Sequence, residues 1–191
     1  MRRWIVVFCP LPGKFWGYDM KELTAAEQKI LGTLGNLYYE VVPLNLRTFC
    51  SLTSEISKNV LEHFGMECAR MPCQVWCSVP DHNYVIGFVG RAQKEGKWDG
   101  HVVCTAGNWF IDAALHHFNI EFKLDVAPVA YGPMFDLPTQ VIARIDLRAT
   151  EKLWWHHPPQ GADISIPQNP PELVAQYASQ LIKRVAAGAA P

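Results

Sequence analysis

The segment Gly100 to Asp112, GHVVCTAGNWFID, restricts the fold more than any other part of the chain. Two short apolar runs flank a glycine-containing turn, which is the signature of a β-hairpin and hence of antiparallel pairing. The hairpin opens on a histidine and closes on an aspartate. With the turn centred on Ala106-Gly107, His101 and Asp112 lie at equal distances from it and project from one face. Cross-strand partners have Cβ atoms ~4.5–5.5 Å apart, close enough for a carboxylate to accept an imidazole N–H. Polar caps at two strand ends would account for each residue separately, but not for their matched register.

An imidazole held by a carboxylate needs something to deprotonate. The stretch CSLTSEISKNVLEHFGM, from Cys50, places Leu52, Ile56, Val60 and Phe64 at spacings of four, with Ser51 or Thr53 as caps and Gly65 as a stop. This spacing predicts a helix that begins on a cysteine. A sulfur there feels the positive end of the macrodipole and unpaired N–H groups, both of which favour thiolate. The free nitrogen of His101 can take the Cys50 proton, giving an ion pair able to attack a carbonyl carbon. The competing reading of Cys50 is a buried structural thiol.

The remaining chain is read as one domain over residues 1–191, with a core of about 40–150 and a terminal helix of about 170–187. Thr24 is a candidate N-cap for a helix carrying Leu23, Ile30, Leu31 and Leu34, closed by Gly35-Asn36, with LYYEVVPLNL extended after it. ARMPCQVWCSV, HNYVIGFVGRA and TQVIARIDLR read as further strands, and WWHHPPQGADISIPQNPP as a proline-rich surface loop. Asn169 is the expected cap of the terminal helix, whose Leu173, Tyr177, Leu181 and Val185 share a face. The expected class is α+β, a cysteine-bearing helix packed on an antiparallel sheet.

Hydrophobic residues make up 49% of the 191 and charged residues 18%, which excludes a disordered chain, and no apolar run is long enough to span a bilayer. A net charge of -1 gives no broad attraction for nucleic acid or membrane, so neither is expected as a partner. The apolar run Trp4 to Phe8 stops short of a signal-peptide core and is read as an extended segment. Six cysteines in mostly apolar settings read as reduced thiols, which points to a cytoplasmic protein. Cys68, Cys73 and Cys77 with the pairs His116-His117 and His156-His157 invite a zinc reading. Their spacing lacks a matched second half, so no metal and no cofactor are expected.

At Cys50, His101 and Asp112 the chain resembles the transglutaminase-like superfamily of papain-like cysteine enzymes, and more distantly the arylamine N-acetyltransferases. The resemblance runs from about Leu46 to Ala114. It rests on the chain order and on the hairpin pattern His101, Val102-Val103, Gly107, Trp109 and Ile111-Asp112. It implies a thiol hydrolase or acyltransferase in which Cys50 is nucleophile, His101 base and Asp112 orienter of a catalytic triad. The implied substrate is a peptide, protein or small acyl donor, resolved by hydrolysis, deamidation or transamidation. Asn45 and Gln74 are candidate oxyanion donors, and Gln74, Trp98, Trp154 and Trp155 are candidate substrate-binding residues. A non-catalytic interaction module using the tryptophan-rich loop is the alternative reading.

Overall fold

The computed structural model describes residues 22–90, 98–135, 140–148 and 150–189. The expected extended segment from Trp4 to Phe8, and Cys9 with it, lie outside the described residues. Helix α1 (Ala25–Val41) starts at Thr24, whose hydroxyl and backbone N–H form a capping box with Glu27. It does not end at Gly35-Asn36 as the glycine suggested. Tyr38 is fully buried and its hydroxyl donates to the Thr53 carbonyl at 3.0 Å, so packing carries the helix through LYYEV despite the strand propensity of that run. It ends ahead of Pro43, because the residue before a proline is pushed out of the helical region. Gly35 serves contact instead: a Cβ there would lie 2.9 Å from the Tyr131 ring.

A 3-10 turn (Leu44–Leu46) leads to α2 (Cys50–His63), which begins on Cys50 and gives way to Gly65 at φ 79°. Its N-cap is Phe49, with no side-chain cap, rather than Ser51 or Thr53. Those hydroxyls are used elsewhere: Thr53 Oγ1 donates to the Cys50 carbonyl at 3.2 Å and Ser51 Oγ to Asn169 Oδ1 at 3.1 Å.

Seven strands follow among the described residues: β1 (Cys68–Val79), β2 (His82–Ile86), β3 (His101–Ala106), β4 (Trp109–Asp112), β5 (Ala130–Pro133), β6 (Val141–Arg148) and β7 (Glu151–His156). The order is β5-β4-β3-β1-β7-β6, with β2 also on β1, and every pairing is antiparallel. Strand β1 is the hub. Its first half, Cys68 to Cys73, pairs with β3, and its second half pairs with both β2 and β7. The strand over Glu151–His156 corrects the proline-rich loop expected from Trp154 onward. Period-two alternation sends Leu153 and Trp155 into the core, both fully buried, and Trp154 outward.

The hairpin turn is Gly107-Asn108, not Ala106-Gly107, because Ala106 pairs with Trp109 and Cys104 with Ile111. A turn centred one residue earlier would ask Ala106 for the positive φ that Gly107, at φ 53°, supplies without a Cβ clash. The register therefore moves by two residues. His101 and Asp112 are diagonal rather than directly opposite, but an even shift leaves them on one face.

Helices α1, α2 and α4 (Pro171–Ala189) cover one sheet face, burying Leu34, Ile56, Val60 and Leu181 against Cys104 and Ile111. On the other face Val103, Phe110 and Trp155 pack with Phe118 of α3 (His116–Glu121), a short helix in a segment the sequence left without an assignment. Asn169 is not the α4 cap. Its side chain bonds Glu55 and Ser51 of α2, while Leu173 and Val174 N–H groups bond the Pro170 carbonyl. Arg70 fastens the same corner, its guanidinium donating to the Ser51 and Pro167 carbonyls and to Glu55.

Candidate active site

Cys50 occupies the first position of α2. The first amide bond of that helix is Thr53 N–H to the Phe49 carbonyl, 2.9 Å, so the N–H groups of Cys50, Ser51 and Leu52 precede the ladder. The helix end abuts the start of β3, where the Cys50 sulfur lies 3.7 Å from the Gly100 carbonyl oxygen. Half-buried, it lies in the wall of a cleft of about 450 Å³ shared with Phe49, Ile86, Trp98 and His101.

His101 is almost wholly buried, and its Nε2 lies 2.8 Å from Asp112 Oδ2. That bond leaves Nδ1 as the ring nitrogen for a second partner. Burial works against a charged imidazole here, but the charges of Asp112 and of the Cys50 sulfur, and the hydrogen bonds that both accept from the ring, push the other way and raise His101 to about 10. A protonated ring at neutral pH is thus the favoured state between these two groups.

Asp112 is held as firmly as it holds His101. Its Oδ2 also accepts the Trp155 indole N–H at 2.9 Å, and its Oδ1 accepts the Ala114 N–H at 3.0 Å. Three donors on a fully buried carboxylate satisfy it as an anion and fix its orientation. Trp155 is therefore a partner of the aspartate and not, as the sequence suggested, a wall for substrate. The alternation within EKLWWH was the available signal, since it separates the inward tryptophan from the outward one.

The other candidates divide. Trp98 lines the cleft. Trp154 faces away from the core, with the Arg144 guanidinium 4.8 Å above its ring, and is not among the cleft residues. Gln74 has no donor left for an oxyanion: Nε2 donates to the Gly87 and Phe88 carbonyls at 3.1 and 3.3 Å, and Oε1 accepts the Trp76 indole N–H at 2.7 Å. Asn45 is exposed on the 3-10 turn and lies outside the cleft lining. The amides at the start of α2 are the donors closest in sequence to the sulfur.

The five described cysteines are free thiols. Burial raises Cys73 and takes Cys77 up to about 11, whereas the half-exposed Cys68 is lowered by a hydrogen bond from Cys104. Among the described residues no three His, Cys, Asp or Glu side chains cluster as a metal site, and no helix is long and apolar enough to cross a membrane.

No family model matches the chain, and no curated protein matches its sequence. Among solved structures it is similar to the crystal structure of a genomics target, at 11% identity over 91% of this chain and 82% of that one. The TM-score is 0.32, a loose likeness.

Proposed function

We propose that the chain is a cysteine-nucleophile acyl-transfer enzyme of transglutaminase-like arrangement. The observation that carries this reading is the placing of the Cys50 sulfur, at a helix N-terminus in an open cleft, beside an imidazole whose far nitrogen is bound by a buried carboxylate. In the first step Cys50 reacts as the thiolate of a thiolate–imidazolium pair whose proton already rests on His101 Nδ1, and the sulfur adds to the carbonyl carbon of an amide or thioester. Negative charge then develops on the former carbonyl oxygen, where the N–H groups of the α2 first turn can meet it. Collapse expels the amine or thiol, which takes its proton from His101, and leaves an S-acyl Cys50. Water or a second amine, deprotonated by His101, attacks that thioester and releases the acyl group and the Cys50 sulfur. The donor is a peptide, protein or small molecule; water gives hydrolysis or deamidation, and an amine gives transamidation.

An activated p-nitrophenyl ester tests the reading, with intact and peptide mass spectrometry locating the acyl group. The expected result is acylation at Cys50 that His101→Ala suppresses. No acylation at Cys50, or acylation there that is insensitive to His101→Ala, would overturn it.

A further inference from the structure

Strand β2 ends in a backbone corner that the acyl-transfer chemistry does not by itself require. Gly87 and Phe88 both lie in the left-handed region, at φ 79° and 53°, a conformation that costs a bulky residue energy and persists only where the surroundings enforce it. The enforcement is visible. Both N–H bonds of the Gln74 amide are spent on the Gly87 and Phe88 carbonyls, and the Trp76 indole holds the other end of that amide. On the far side the Phe88 N–H donates to the Asp99 carbonyl, and the Phe88 ring meets the Trp98 ring edge-on at 5.8 Å.

What the corner leans on is the histidine. A Cβ at Gly87 would come within 2.6 Å of His101 Cβ and 2.8 Å of its backbone nitrogen. The Trp98 ring in turn lies so close over Gly100 that a Cβ there would fall 2.1 Å from it, and the Gly100 carbonyl is the group 3.7 Å from the Cys50 sulfur. The backbone 98–101 therefore carries both the imidazole and the carbonyl facing the thiol, and it is pressed into place by the Gly87-Phe88 corner.

We propose that Gln74 is a positioning residue which, braced by Trp76, locks the Gly87-Phe88 corner and thereby sets the imidazole of His101 against Cys50. This rests on the acyl-transfer reading and adds to it a residue that touches neither substrate nor reacting atoms. Small displacements at a reacting pair are costly, so the loss expected from releasing the corner is roughly ten- to hundredfold in rate.

The test is the pH-rate profile of iodoacetamide labelling at Cys50, read on the Cys50 peptide, for the wild type, His101→Ala and Gln74→Met. Methionine keeps the bulk of the side chain and removes both donors. The expected outcome is a folded Gln74→Met protein whose Cys50 labelling is slower and whose pH profile moves toward that of His101→Ala. A wild-type profile, or a slower rate with an unchanged profile, overturns the positioning role. Should Gln74→Met fail to fold, Trp76→Phe removes only the brace, and a shift of its profile in the same direction, or none, decides the matter. If His101→Ala itself keeps the wild-type profile, the acyl-transfer reading falls first, and the two failures are told apart.

Discussion

Asp112 shows how much of a site can depend on one carboxylate. It accepts from His101, Trp155 and Ala114, and it is the chief group raising His101 to about 10 against the opposing effect of burial. Replacing it by asparagine removes that charge and leaves burial, so the imidazole is expected to titrate far lower by NMR in Asp112→Asn. An unchanged His101 titration would contradict the geometry. Because the folded value lies above the unfolded one of 6.5, the stabilisation from this pair is fully present below about pH 6.5 and is lost as pH rises through about 10. Urea denaturation should show the gap between wild type and Asp112→Asn narrowing over that window, and a constant gap would count against the pair.

On the proposed acyl-transfer reading, Cys50, His101 and Asp112 divide the work of nucleophile activation unequally. In Cys50 labelling by iodoacetamide, Cys50→Ala should remove the adduct from that peptide entirely. His101→Ala should lose most of the rate, since the helix dipole alone supplies about 0.3–1 kcal/mol at an exposed site, too little to replace a positioned base. Asp112→Asn, which removes orientation but neither reacting group, should be mildest. The adduct must be assigned peptide by peptide, because Cys68 is also half-exposed and is lowered by a hydrogen bond from Cys104, so it is expected to label as well. An Asp112→Asn rate below that of His101→Ala would reverse the assigned roles.

At the scale of elements, α1 illustrates how contact overrides punctuation. Gly35 and Gly32 allow the Tyr131 ring of β5 to lie against the helix, with a Cβ at Gly32 meeting the Tyr131 hydroxyl at 3.3 Å. Gly35→Leu gains helix propensity but must displace that ring, and the net effect should be destabilisation of about 1–3 kcal/mol, measured by urea denaturation. Combining it with Tyr131→Ala should cost less than the sum of the two, since the clash is then absent. A stabilised Gly35→Leu protein would mean that the glycine was not there for packing. The α2 helix was more legible than α1 because its apolar spacing and its glycine stop agree with the tertiary structure, whereas in α1 the stop signal and the packing disagree.

At the scale of the whole molecule, the five thiols among the described residues are sorted by depth. Cys73, Cys77 and Cys104 are buried in the sheet, and burial raises the first two, while Cys50 and Cys68 are only half-buried. Under native conditions alkylation should reach Cys50 and Cys68 quickly and the three buried sulfurs only with global unfolding, a contrast that mass mapping before and after urea would show. Native labelling of Cys73 at the Cys50 rate would mean the sheet opens around the site. The corner held by Arg70, which ties Ser51, Glu55 and Pro167 together, explains how the loop before α4 reaches the cleft wall, where Pro167 sits next to Ser51.

Local pattern was sufficient for some of this. The spacing after Cys50 specified α2 and its first residue, and alternation specified most strands and the shared face of His101 and Asp112, because helix and strand periods are properties of the chain itself. Residues that meet through space were beyond it. The exact hairpin register depended on which residue could accept positive φ, and the helical state of LYYEV on a tyrosine reaching Thr53. The indole of Trp155 on Asp112 and the amide of Gln74 on the Gly87-Phe88 corner join strands far apart in sequence. Such bonds leave no periodicity behind, so only the assembled sheet decided which polar groups orient the candidate triad and which were left to line its cleft.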